Sequence, residues 1–150
     1  MRVLHVSDVH FGRSAVPEQF EAIEATIGEE RFDVVAISGD LSQRARTGEF
    51  LRARAFLRDA QRVSRTIVVP GNHDVAWWRA PLKVGDHRKV YEAYRAYIDQ
   101  DLEPVLRMPG ATFVGLNTAH GVTGKTLTWN LRDISVIGYL TRRQIERAAK

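Results

Sequence analysis

The run Thr66-Ile67-Val68-Val69-Pro70-Gly71-Asn72-His73-Asp74 joins an apolar stretch to a turn crowded with polar side chains. Its four β-branched residues suit a strand buried inside a parallel sheet. Pro70 cannot donate to a ladder, and Gly71-Asn72 is a turn pair. The same arrangement occurs twice upstream. Val3-Leu4-His5-Val6 leads into Ser7-Asp8-Val9-His10, and Val34-Val35-Ala36-Ile37 leads into Gly39-Asp40. Neighbouring parallel strands would bring all three motifs to one edge of a sheet. That edge, beyond the carboxyl ends of the strands, is where open α/β sheets bind ligands. The fold class is therefore α/β.

The segments between these runs fit that reading. Pro17 can open a helix, because its missing N–H would be unpaired in the first turn anyway. Phe20, Ile23 and Ile27 recur at helical spacing, and Gly28 is a stop signal. Strand, helix and strand within about thirty residues make a βαβ unit with a right-handed crossover. The strands are read over residues 2–7, 33–38 and 66–69. Thr47 is the expected N-cap of a second helix, with Phe50, Ala53, Leu57 and Ala60 on its inner face and Arg52, Arg54, Arg58 and Arg62 elsewhere. His5 reads as a hydrogen-bonded core residue.

Beyond Asp74, Trp77, Trp78 and Pro81 fall in an irregular stretch, where the tryptophans could wall a substrate pocket and stack on a base but read better as loop packing. Residues 87–99 look helical, and residues 112–116 look like a fourth strand. Residues 122–140 fit a hairpin with strands near 125–130 and 133–137. Thr141 caps a closing helix that runs to Lys150.

Composition narrows the class. With 150 residues, 44% hydrophobic and 27% charged, one domain over residues 1–150 is expected. No repeat, low-complexity tract or linker divides it. The absence of cysteine excludes disulfides and thiolate metal sites. No run approaches the roughly 18 apolar residues of a membrane span. Met1-Arg2 leads straight into a strand, so a secretory signal is not expected and a cytoplasmic protein is the default. The net charge of +4, from 22 basic and 18 acidic residues, favours anionic substrates modestly. It reads as Arg-rich helix faces rather than as a nucleic-acid surface.

The chemistry lies in the strand-end motifs. Adjacent strands stand about 4.8 Å apart, so short side chains at their ends can share ions. Two-metal hydrolytic sites hold their ions roughly 3.5–4 Å apart and need a bridging carboxylate. Asp40, on the middle motif, is the candidate bridge. Asp8 and His10 would complete one side, and Asn72 would offer a neutral oxygen to the second ion. This mixed O/N set suits two divalent ions of Mn, Fe or Zn better than Ca or Mg. Such ions make hydroxide available near neutral pH, for in-line attack on phosphorus. His73 would then protonate the leaving oxygen.

Asp8-Val9-His10, Gly39-Asp40 and Gly71-Asn72-His73-Asp74 occur in the order and at the spacing of the calcineurin-like metallophosphoesterase superfamily, which the chain resembles over essentially its whole length. Gly39-Asp40-Leu41-Ser42 with Glu49-Phe50, and Gly138-Tyr139-Leu140 with Gln144, look like the branch containing class III cyclic-nucleotide phosphodiesterases. The resemblance implies a sandwich of two mixed sheets flanked by helices. It also implies Asp8, His10, Asp40 and Asn72 as metal ligands, and His73 as the group acting on the leaving oxygen. The reaction implied is hydrolysis of a phosphomonoester or phosphodiester by metal-bound hydroxide.

The family's later motifs, a single His and then Gly-His-x-His, are absent. His120 is the last histidine. His87 and His120 are the remaining candidates for a substitute ligand. His87 reads better as a helix opener and His120 as a loop residue. The second sheet is therefore expected to be incomplete, and its missing part implies either a C-terminally truncated chain or pairing with another chain. Gln43 stands where many relatives carry a carboxylate that orients the catalytic His. Two further readings stay open: an incomplete domain acting as an interaction module, and a DNA nuclease.

Overall fold

The computed structural model describes residues 1–12, 16–76, 79, 87–126, 128, 129, 133 and 136–149, with the backbone alone at 87 and 88. Strands β1 (Val3–Val6), β2 (Val34–Ser38) and β3 (Arg65–Val69) form a parallel sheet in the order β1-β2-β3. Their register runs Val3↔Val34 through Val6↔Ile37, and Val34↔Arg65 through Ser38↔Val69. The central strand carries the Gly39-Asp40 motif, so that motif lies between the other two.

Burial follows from the two-residue period of a strand. Leu4 and Val6 on β1, Val35 and Ile37 on β2, and Val68 on β3 belong to the main core. Helices α1 (Pro17–Glu29) and α2 (Thr47–Val63) cover that face. From α1, Ile27 is buried, with Phe20 and Ile23 packed at the margin of the core. From α2, Phe50, Ala53, Phe56, Leu57 and Ala60 are buried. Phe11, Phe20 and Phe56 interlock at centroid separations of 4.9–5.8 Å, the range in which tilted aromatic pairs attract.

The opposite face is barer. Val3 is 42% exposed, and His5 and Ser38 are exposed as well. His5 is therefore not a core residue. It is hydrogen-bonded as expected, to Ser38 Oγ at 2.7 Å, but on the face opposite the one that α1 and α2 cover. A second local correction concerns α2. Arg46, not Thr47, is the N-cap residue, and the carboxylate of Glu49 caps the helix by accepting from Arg46 N at 3.2 Å.

The second half of the chain adds a 3₁₀ turn (His87–Tyr91), α3 (Glu92–Tyr97) and a hairpin of β4 (Val105–Met108) with β5 (Ala111–Val114). The segment read as one helix over 87–99 is thus a 3₁₀ turn followed by a short helix. In α3, Tyr94 is fully buried against Phe50 of α2. The hairpin is antiparallel, with Met108↔Ala111 closing on a turn at Pro109-Gly110. Gly110 has φ +84°, the left-handed conformation that the second corner of such a turn needs. β5 was expected; β4, only four residues between two prolines, was not.

Between β5 and the closing helix α4 (Arg142–Ala148), Thr126 anchors a buried turn. Its Oγ1 donates to Gly121 O at 3.0 Å and accepts from Thr123 N at 2.7 Å. The strands expected near 125–130 and 133–137 are not found among the described residues, and residues 127, 130–132, 134 and 135 lie outside that set. Helix α4 is capped as expected. Gln144 N donates to Thr141 Oγ1 at 3.3 Å, and Thr141 N returns a bond to Gln144 Oε1 at 2.7 Å. Gln144 Nε2 also donates to Asn117 O at 2.7 Å, which ties α4 to the chain after β5. The whole is a parallel sheet and a small antiparallel sheet flanked by helices. Among the described residues, no helix is long and apolar enough to cross a membrane.

Candidate metal centre

Each motif begins where a strand of the parallel sheet ends, and each turn there is tight. Asp8, His10 and Asp40 have φ of +57°, +49° and +52°. Non-glycine residues are uncommon in this left-handed region, where Cβ crowds the backbone, and each such residue costs of order 1–3 kcal/mol. Such strain persists only where surrounding bonds fix the chain. Here His10 N donates to Asp40 O at 2.8 Å and Phe11 N to Leu41 O at 2.7 Å, so the first motif loop is laid along the second.

The second and third loops meet through glycine. A Cβ on Gly71 would stand 2.1 Å from Asp40 Oδ1 and 2.3 Å from Asp40 N. Gly39, at φ +86°, backs onto Gly71 in the same way. This close approach lets His73 N donate to Asp40 Oδ1 at 2.9 Å.

Asp74 ties these two loops together from beneath. It is fully buried and accepts from Gly71 N at 3.0 Å, Leu41 N at 3.2 Å, Ser42 N at 2.7 Å and Ser42 Oγ at 2.9 Å. Burial pushes its carboxyl up to about 6, against the downward pull of those donors.

Above this frame, His10, Asp40 and His73 offer ligand atoms that all lie within 4.8 Å of one another. The rings of His10 and His73 meet edge to face at 4.7 Å. Asp8 Oδ1 stands 3.7 Å from His10 Nε2, too long for a hydrogen bond. The other nitrogen of His10, Nδ1, is buried with no hydrogen-bond partner among the described residues. A buried polar atom left unpaired costs about 1–3 kcal/mol. The O/N donor set of His10, Asp40 and His73 is the one that Mn, Fe and Zn accept. The residues present fit a divalent ion.

The profile of the calcineurin-like phosphoesterase family matches residues 1–147. The chain belongs to that family. No curated protein matches the chain. In this calcineurin-like phosphoesterase, Asp8, His10, Asp40 and His73 all gather at the carboxyl edge of the sheet. Asn72 occupies the same 3₁₀ turn as His73, Asn72–Asp74. Its carboxamide is half-buried and has no hydrogen-bond partner among the described residues.

His120 Nε2 is 3.1 Å from Tyr139 O, and its ring packs on Tyr139 at 4.3 Å, in the loop after β5. His87 opens a 3₁₀ turn, as its reading as a helix opener anticipated. Trp77 and Trp78 lie outside the described residues.

Two parts of the site were not read from the sequence. One is the tie made by Asp74, quoted as part of a motif but given no task. The other is what holds His73. Its Nδ1 donates to the main-chain oxygen of Gln43 at 2.8 Å, while the Gln43 side-chain Nε2 stands farther off, at 3.5 Å. The missing carboxylate is thus replaced by the backbone rather than by the glutamine side chain.

Proposed function

We propose that this chain hydrolyses a phosphomonoester or phosphodiester with the help of divalent metal ions. The observation that carries this reading is the convergence of His10, Asp40 and His73 within 4.8 Å. In this reading Asp8, His10 and Asp40 would hold one ion, and Asp40 and Asn72 would serve a second. Divalent ions supply two things at such a site: an acidified water and an offset for negative charge on the phosphoryl oxygens.

The chain's own residues supply the rest. The Gln43 carbonyl can only accept, so His73 Nδ1 must carry the proton in that bond. His73 Nε2 is then the atom that can take up a second proton and give it to the leaving oxygen. General acids of this kind contribute about 10²–10⁴-fold. Asp40 does two jobs in this reading, because Oδ1 also accepts from His73 N and so ties the acid to a candidate ligand. A cyclic nucleotide is the finer substrate proposal, and a cytoplasmic setting belongs to the same reading.

The arginines of α2 do not favour a nucleic-acid substrate. Arg62 pairs with Asp59 at 2.7 Å, and Arg54 lies over the Tyr97 ring at 5.7 Å. The N-terminus of α2 faces the motif edge, which leaves Arg62 roughly 22 Å along the helix from it. The test is hydrolysis by chain stripped with a chelator and reloaded with Mn. Substrates are p-nitrophenyl phosphate, bis(p-nitrophenyl) phosphate, a cyclic nucleotide and single-stranded DNA. Ion-dependent cleavage of a small ester is expected. Cleavage of DNA alone would favour a nuclease, and no cleavage of any substrate by ion-loaded chain would remove the enzyme reading.

A further inference from the structure

Gln43 holds His73 through its backbone, so whatever fixes that backbone also fixes the imidazole. The segment from Ser42 to Arg46 is clamped at both ends. At one end Ser42 N donates to Asp74 Oδ1 at 2.7 Å, and Ala45 N donates to Ser42 Oγ at 3.1 Å. At the other end Glu49, in the first turn of α2, reaches back over the segment. Its Oε2 accepts from Arg44 N at 2.8 Å and from Arg46 N at 3.2 Å. Between the clamps Ala45 sits at φ +49°, a strained conformation that these bonds sustain. Gly12 completes the arrangement. A Cβ there would come within 2.8 Å of Gln43 Cβ and 3.3 Å of Glu49 Oε1, so the first motif loop closes directly onto the clamped segment.

We propose that Glu49 is a positioning residue for His73: by clamping residues 44–46 it aims the Gln43 main-chain oxygen at His73 Nδ1, and so selects the neutral tautomer whose bare nitrogen is Nε2. A neutral imidazole carries one proton, which either ring nitrogen can hold, and the bond made by one nitrogen decides the state of the other. With Nδ1–H committed to a carbonyl, Nε2 is the nitrogen left for the site. Glu49 has no need to touch a substrate. Its carboxylate also favours the positive end of the α2 macrodipole, which strengthens the clamp. A device of this kind gives by backbone geometry what a carboxylate would otherwise give by charge. It holds the ring without adding a negative group next to Asp40.

This inference rests on His73 as the proton donor, but its decisive readout does not need an active enzyme. Nitrogen-15 histidine spectra of the ion-free chain report which ring nitrogen bears the proton. They are recorded well above the ordinary imidazole pKa of about 6.5. The parent chain is expected to show His73 as the Nδ1–H form. Glu49→Ala should convert it to a mixture of tautomers while far-UV dichroism stays unchanged. In the ion-loaded enzyme kcat should fall about 10–100-fold at constant KM. Glu49→Gln should restore both, because an amide oxygen can still accept from both N–H groups. Gln43→Ala should retain the Nδ1–H form, because the main-chain oxygen remains. Folded Glu49→Ala that keeps a single Nδ1–H form overturns the proposal, and so does loss of that form in Gln43→Ala. If Glu49→Ala does not fold, Glu49→Asp, one methylene too short to reach both N–H groups, decides by the same spectrum. Correct tautomers in a chain that hydrolyses no ester would leave this positioning intact and remove only the function proposed above.

Discussion

His73 and Asp74 are adjacent, yet they do different work. His73 faces the metal centre, so replacing it should change the chemistry and spare the frame. His73→Gln is expected to lower kcat by about 10²–10⁴-fold in the ion-loaded enzyme. Ion content measured by mass spectrometry should be unchanged, because Asp8, His10 and Asp40 remain. Asp74 is buried within the frame, with its carboxyl pushed up to about 6 from 3.8. The folded chain therefore binds this proton more tightly than the unfolded chain does. The resulting stabilisation is fully present below about pH 4 and is lost as pH rises through about 6. A shift of about two units corresponds to about 3 kcal/mol. Urea unfolding of ion-free parent and Asp74→Asn, compared from pH 4 to 7, should show this slope in the parent and not in the variant. Equal slopes would mean that Asp74 does not titrate there.

Sequence alone gave uneven access to these residues. Asp8, His10, Asp40 and His73 were readable because each follows a strand-like run, and parallel neighbours must end at a common edge. The task of Asp74 was not readable, because its partners Leu41 and Ser42 are 33 and 32 residues away. Gln43 was hidden for another reason. Its side chain suggested a side-chain bond, whereas the atom used is the carbonyl that every residue has.

At the level of elements, the three parallel strands and their two helices were legible from β-branched runs and from the spacing of Phe50, Ala53, Leu57 and Ala60. Phe50 anchors α2 to both the sheet core and Tyr94 of α3. Phe50→Ala should therefore cost about 3–5 kcal/mol in chemical denaturation. The strand ends also depend on glycine. Gly71→Ala would place a methyl 2.1 Å from Asp40 Oδ1, so either the Asp40 loop or the Asn72–Asp74 turn must move. Calorimetric titration with Mn should show this variant binding at least tenfold more weakly than the parent, with the far-UV spectrum retained. Elements with shorter signals were misread. β4 has four residues, and tertiary pairing with β5, not its own pattern, makes it a strand. The 3₁₀ turn from His87 likewise gives way to a regular helix only at Glu92.

For the whole molecule, one face of the parallel sheet is packed by α1 and α2, while the other leaves Val3 at 42% exposure and His5 and Ser38 exposed. The stable half thus acts as a platform, and the strained loops at its edge carry the chemistry. That division explains how Asp8, His10 and Asp40 can all stay left-handed: the cost is offset by the packed core and by the bonds between loops. It also makes Asp40 the hub of the molecule. Its main-chain oxygen holds the first loop, its Oδ1 holds the third, and its carboxylate lies among the candidate ligands. The most direct test is the number of Mn ions held per chain, measured by native mass spectrometry after gel filtration, in the parent and in Asp40→Ala. The account predicts two ions in the parent and none in a still-folded Asp40→Ala. The same ion content in both chains, or none in the parent, would contradict it.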